Sequence, residues 1–227
     1  EEISDSESKV VQEISIDPPV FELNTETFPD SLGTGESILI SWTTFDSESE
    51  ISSVEMYVSY NSLSMVNLLE VFAGDSYEYN YSAPDSIITD NAGFIFKTID
   101  GAGNFSLDTT EFFQINDIIS PQLAITSPSE EFSVLENESF TMNWVHSDNI
   151  AVFDHLFEYS SDGINYDTLL HTPYLAQANS HDFTLSGVTM TGKIKLTISD
   201  HAGNNASDYT PDFTIVDNTP PIVNFDS

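Results

Sequence analysis

Two five-residue phrases, Asp100-Gly-Ala-Gly-Asn104 and Asp200-His-Ala-Gly-Asn204, stand one hundred positions apart and carry side chains with an obvious chemistry. Asp and Asn offer hard oxygen donors, which suit a calcium ion taking six to eight oxygens at about 2.3 to 2.6 Å. Further oxygens recur beside them. Asp46 follows Trp42, Asp148 and Asn149 follow Trp144, and Asp17 and Asp117 precede Pro19 and Pro121. The same phrases also make physical sense as hairpin turns alone, with Gly supplying positive φ and Asp or Asn bonding the local backbone. Both readings, half of a cation site and simple turn, stay open at the level of sequence.

The elements that must position these groups repeat with them. Pro19, Pro121 and Pro221, then Trp42 and Trp144, then Phe113 and Phe213, recur at spacings of 100 to 102. A period that long means whole domains in series, since solenoid repeats run about 20 to 50 residues. Within each repeat the apolar residues alternate. Ile38, Ile40 and Trp42 share one face, as do Phe140, Met142 and Trp144, and Ile194, Leu196 and Ile198. Period two marks strands with one buried face, and no stretch shows a helical period. In the second repeat, strands are expected near 122–126, 139–145, 152–160, 166–170, 181–185, 192–199 and 210–216, with Ser161-Asp162-Gly163 as a tight turn. The expected fold is all-β: two tandem antiparallel β-sandwiches of about seven strands each. The expected domains are 17–117 and 118–217. They are preceded by an acidic linker or the end of an earlier repeat at 1–16, and followed by the start of a truncated third repeat at 218–227.

Composition narrows the function. The chain carries 38 Asp and Glu against four Lys and no Arg, a formal net charge of −34. Such a surface repels phosphate, which excludes nucleic acid and anionic membrane surfaces as partners and favours cations. A solvated acidic surface is the plainer alternative. There is no Cys, so disulfides and thiolate chemistry are absent; this points toward a bacterial rather than an animal extracellular protein. No apolar run has the length of a membrane span, so direct membrane insertion is not expected.

The residues now in place resemble a family, the immunoglobulin-like or fibronectin type III-like repeats of large bacterial cell-surface proteins and adhesins. The resemblance rests on Trp144, Asp148, Tyr159-Ser-Ser-Asp-Gly163, Asp200-His-Ala-Gly-Asn204 and Asp217-Asn-Thr-Pro-Pro221, and covers nearly 17 to 227. The first repeat departs from it at Tyr60-Asn-Ser62 and Asp117-Ile-Ile-Ser-Pro121. The resemblance implies an extracellular spacer, on the cell surface or secreted, whose immediate partners are neighbouring repeats of the same chain. It also implies that some joints bind calcium.

In a sandwich of this topology the entering linker and the two acidic loops meet at one end, because consecutive strands reverse direction. The candidate Ca2+ ligands of the second repeat are therefore Asp117, Asp148, Asn149, Asp200 and Asn204. Those of the first are Asp46, Asp100, Asn104 and Asp17, with Glu48 or Glu50 nearby. Asp17 stands two residues before its proline, whereas Asp117 stands four before its own. An extracellular module would bind calcium with a dissociation constant of about 0.1 to 1 mM.

Other signals are weaker. His146, His155, His171, His181 and His201 read as surface residues, although His146 and His201 fall in loops assigned to one end. Tyr77, Tyr79 and Tyr81 read as a core face, with stacking on a sugar as the alternative. No nucleophile elbow, phosphate loop or metalloprotease motif occurs, so an enzyme is not expected. The alternative function is a module binding a surface glycan or protein, or an accessory segment of a secreted hydrolase.

Overall fold

The structure is a computed structural model and describes residues 16–24, 28–173 and 179–222. The chain divides into two compact units between Asn116 and Asp117. Of the segments expected beyond the two domains, 1–15 and 223–227 lie outside the described residues, and 218–222 carry no strand.

Unit 1 holds nine strands: β1 (Val20–Leu23), β2 (Ser31–Gly33), β3 (Ser37–Phe45), β4 (Ile51–Ser59), β5 (Asn67–Phe72), β6 (Ser76–Ser82), β7 (Thr89–Asp100), β8 (Phe105–Thr109) and β9 (Phe113–Asn116). One sheet has the order β1-β3-β6. The other has the order β2-β9-β7-β4-β5, with β8 also pairing β7. Unit 2 repeats the plan with β10 (Gln122–Ser127), β11 (Phe132–Leu135), β12 (Ser139–Ser147), β13 (Val152–Ser160), β14 (Asp167–Pro173), β15 (Ser180–Thr184), β16 (Thr189–Asp200), β17 (Asn205–Tyr209) and β18 (Phe213–Val216). Each unit is thus an immunoglobulin-like sandwich of a three-stranded and a six-stranded sheet, as the alternating pattern requires.

Each core is filled by the residues whose alternation marked the strands. Ile40 and Trp42 of β3 pack with Val54, Met56, Phe94 and Phe96 in unit 1. Met142 and Trp144 of β12 pack with Phe157, Ile194, Leu196 and Ile198 in unit 2. Tyr77, Tyr79 and Tyr81 also turn toward the unit 1 core, with Tyr81 buried against Phe94.

The count is nine strands per unit where about seven were expected. The first strand is divided into two pieces, one in each sheet: β1 and β2 in unit 1, β10 and β11 in unit 2, with β2 and β11 lying parallel to the last strand. The last strand is divided too, and the cause is a threonine. The Thr210 amide donates to the Ile194 carbonyl, while the Thr210 hydroxyl accepts the Ile194 N–H at 3.0 Å. One side chain takes the place of a ladder carbonyl, so pairing stops at Tyr209 and resumes at Phe213. Thr110 makes the same two bonds to Phe94.

The turns answer to local chemistry. Gly163 takes positive φ, and the Asp162 carboxylate accepts from the amides of Ile164 and Asn165, from the Asn165 side chain and from Ser160. The Asn165 and Ile164 amides foremost hold its carboxyl far below the usual range. In unit 1, where that Gly is missing, Ser62 and Leu63 adopt positive φ instead.

The three lysines among the described residues sit mid-strand on the outer faces of the six-stranded sheets. Lys97 pairs with Glu55 at 3.3 Å, Lys193 with Asp212 at 2.8 Å and Lys195 with Glu158 at 3.0 Å.

The Thr210 bond predicts a measurable defect. Thr210→Val keeps the shape but leaves the buried Ile194 N–H without an acceptor, which costs about 1 to 3 kcal/mol. Urea denaturation should show unit 2 losing that much stability, with unit 1 unchanged.

Candidate metal centre

Asp117, Asp148 and Asp200 each present a carboxylate oxygen, and these oxygens lie within 4.8 Å of one another. Oxygens bound to one calcium ion at about 2.3 to 2.6 Å lie at most about 5 Å apart, so the three fit a shared ion. Among the described residues this is the one group of three or more acidic, His or Cys side chains so placed.

Each carboxylate is held by its own loop. Asp117 stands where the chain enters unit 2. Its Oδ1 accepts the Ile119 N–H at 3.1 Å, forming a turn over two residues, and an Asn149 Nδ2–H at 2.9 Å. Asp148 follows β12; its Oδ2 accepts the Ile150 and Ala151 amides at 3.1 and 2.9 Å. Its Oδ1 is buried with no hydrogen-bond partner among the described residues. Asp200 ends β16. Its Oδ1 accepts the Asn204 amide at 2.9 Å and its Oδ2 accepts from Asn204 Nδ2 at 2.7 Å. Asp117 and Asp200 are buried and Asp148 is half-buried.

The two amides named as candidate ligands make hydrogen bonds within the group here. Asn204 Nδ2 also donates to the Asp117 carbonyl at 3.2 Å, so one amide group ties the entering linker to the Asp200 turn. Asn149 Nδ2 faces Asp117. A carboxylate can only accept, so the NH2 end of each amide must turn toward it. Asn149 and Asn204 therefore orient the acids.

Unit 1 makes the turn without gathering the triad. Asp100 is buried, and its Oδ1 accepts the Ala102 and Asn104 amides while its Oδ2 accepts from Asn104 Nδ2 at 2.8 Å. Burial opposes ionisation, but the Asn104 bonds, with help from Ser49 and Gly103, outweigh it and hold the carboxyl below the usual range. Asp46 Oδ1 is engaged by the Glu48 and Ser49 amides at 2.8 and 2.7 Å. Asp17 is exposed and does not join them. The strand registers explain why. Val20 opposes Phe45 as Gln122 opposes Ser147, an offset of 102. On that offset the counterpart of Asp117 is position 15, a serine outside the described residues, and that of Asn149 is Ser47.

The histidines form no such cluster among the described residues. His201 packs on Phe153 at 4.1 Å, and His171 Nε2 meets Asp154 at 2.6 Å. His155 corrects the surface reading, since its side chain is 0% exposed. Its strand position faces inward, where alternation alone would have put it.

No family model matches the chain, and no curated protein matches it. Among solved structures it is similar to the fibronectin(III)-like modules of Clostridium thermocellum CbhA, at 14% identity over 92% of this chain and 100% of that one, with a TM-score of 0.39. It is also similar to IG1+IG2 of DIP-gamma (10%, 88% and 98%, TM-score 0.41) and to the titin domains z1z2 in complex with telethonin (9%, 90% and 100%, TM-score 0.40).

Crowded carboxylates give the site a two-sided signature. Asp148→Asn removes one of three neighbouring charges and should raise metal-free stability by roughly 1 kcal/mol. The same change should abolish stabilisation by calcium. Melting curves of wild type and variant, in chelator and in millimolar calcium, check both effects.

Proposed function

We propose that this chain is a spacer segment of an extracellular surface protein, and that calcium held by Asp117, Asp148 and Asp200 fixes the linker where it enters unit 2. The observation that carries this reading is the identity of the first ligand. Asp117 directly follows β9, the last strand of unit 1, in sequence, yet its side chain belongs to the carboxylate group of unit 2. An ion there restrains the residue at which one repeat hands over to the next.

The repeat supports the same reading. Two units with closed cores of their own, built on one plan, suit a load-bearing array. The net charge of −34 favours metal cations as ligands and disfavours nucleic acid. Asp217 accepts the Thr219 amide at 2.7 Å in the same two-residue turn that Asp117 makes with Ile119. The handover residue of unit 2 is thus prepared like that of unit 1. Catalysis has no part in this reading.

A binding module is the second reading, and one observation favours it. The outer face of the six-stranded sheet of unit 1 carries Leu68, Val71, Ile95, Ile99, Phe105 and Leu107 around the Lys97–Glu55 pair, with Leu68, Val71, Phe105 and Leu107 about half exposed. At the unit 2 positions matching Ile95, Ile99, Phe105 and Leu107 stand Lys195, Ser199, Asn205 and Ser207. A protein ligand using this face would lose affinity to a Phe105→Ser/Leu107→Ser variant, which surface binding on a chip would read.

The spacer reading makes its own predictions. Calorimetric titration of the metal-free chain should give one calcium site near 0.1 to 1 mM. At a hundredfold excess over the dissociation constant, calcium should stabilise unit 2 by about 2.7 kcal/mol. Hydrogen exchange at 117–120 should slow in calcium. No heat and an unchanged melting curve would end the calcium part of the reading.

A further inference from the structure

The cores of the two units differ at one cross-strand pair. In unit 1, Val54 of β4 faces Phe72 of β5, both within the apolar core. In unit 2 the pair across β13 and β14 is His155 and Thr172. Val54 and His155 are each 0% exposed. Neither ring nitrogen of His155 has a hydrogen-bond partner among the described residues, and neither does the Thr172 hydroxyl. Two polar side chains thus occupy the place of two apolar ones and gain no bond in return.

Among the described residues, no group around His155 accepts a hydrogen bond from its ring. Trp144 and His146 of β12 lie 5.8 and 5.4 Å from it, ring to ring, and Phe157 lies 6.5 Å away. Ile198 of β16 and Thr172 of β14 stand opposite on either side, and neither titrates. Two titratable groups act on the ring. His146 opposes its protonation, and Asp154, next to it on β13, favours it. The Asp154 carboxylate is itself engaged by His171 at 2.6 Å. A buried imidazolium without an acceptor is costly.

We propose that the His155–Thr172 pair makes unit 2 an acid-labile module beside a unit 1 that lacks this liability: protonation of His155 cannot be accommodated in the closed core, so mild acid opens unit 2 first. The sign follows from linkage. Burial, reinforced by His146, pushes the His155 pKa from 6.5 down to about 4. A group whose pKa is depressed by folding stabilises fully above its unfolded value. That stability falls as pH drops from about 6.5 to about 4, and levels off below. For one proton with these two values, the opening equilibrium of unit 2 rises about 20-fold between pH 7 and pH 5. Most carboxylates titrate below this window and act on both units; the other four histidines lie in unit 2 beside His155, so it is the double variant, not the comparison of units alone, that isolates His155.

The test is hydrogen exchange on the whole chain, resolved by peptide and run in chelator so that cation release plays no part. Between pH 7 and pH 5, after correction for intrinsic exchange rates, β13, β14 and β16 should lose about 20-fold in protection relative to β4, β5 and β7. The double variant His155→Val/Thr172→Phe, which installs the unit 1 pair, should erase that difference. Equal pH dependence in the two units, or a difference that survives in the double variant, overturns the proposal. Titration of the His155 ring by NMR in the wild-type chain decides the matter whether or not the variant folds. A midpoint below about 5.5 supports the proposal, and one at or above about 5.5 overturns it.

Discussion

The acidic end of unit 2 depends on Trp144 being buried between the two sheets. β12 and β13 are consecutive strands but lie in different sheets, and the loop between them carries Asp148 and Asn149. Trp144 meets Phe157 at 5.4 Å and so fixes how the sheets face each other. With that spacing set, the end of β16 brings Asp200 beside the loop and the entering linker adds Asp117. A tryptophan buried this fully contributes about 3 to 5 kcal/mol relative to alanine. Without it the loops would lose their common support, and three carboxylates would have no reason to stay close.

Holding acids together in a chain of net charge −34 runs against electrostatics, and the structure shows how the opposition is met. Backbone amides and two asparagine side chains donate hydrogen bonds to the triad. This leaves negative oxygens converging with their orientations already set, the state in which a divalent cation has least left to organise. Unit 1 has the turn and the amides, but among its described residues no third acid joins Asp46 and Asp100.

Much of this was legible in the residues. Alternation located the strands, Trp42 and Trp144 marked the core, and the differing Asp-to-Pro spacing already separated the two linkers. The split edge strands were not legible, because a threonine hydroxyl replacing a ladder carbonyl leaves no trace in hydrophobic pattern. The NH2 contacts of Asn149 and Asn204 with the acids were also hidden, since an amide has both an oxygen and an NH2 to offer and only its neighbours decide which one faces a carboxylate. His155 reads as polar, while its place in the alternation of β13 puts it inside. Residue type and strand phase disagreed there, and phase prevailed.

The placement of the lysines bears on how the folded chain meets a protease. With no arginine and four lysines, a protease that cuts after basic residues finds four sites in the whole sequence. Lys97 lies within β7, and Lys193 and Lys195 lie within β16. Each ammonium is engaged by a carboxylate, and the backbone of Lys97 and Lys195 is paired on both sides, that of Lys193 with β13. Such enzymes need an extended, unpaired segment of several residues in their cleft, and none of these three offers one while the sandwich is closed. The composition that makes the surface so acidic also leaves trypsin-like digestion little to grip.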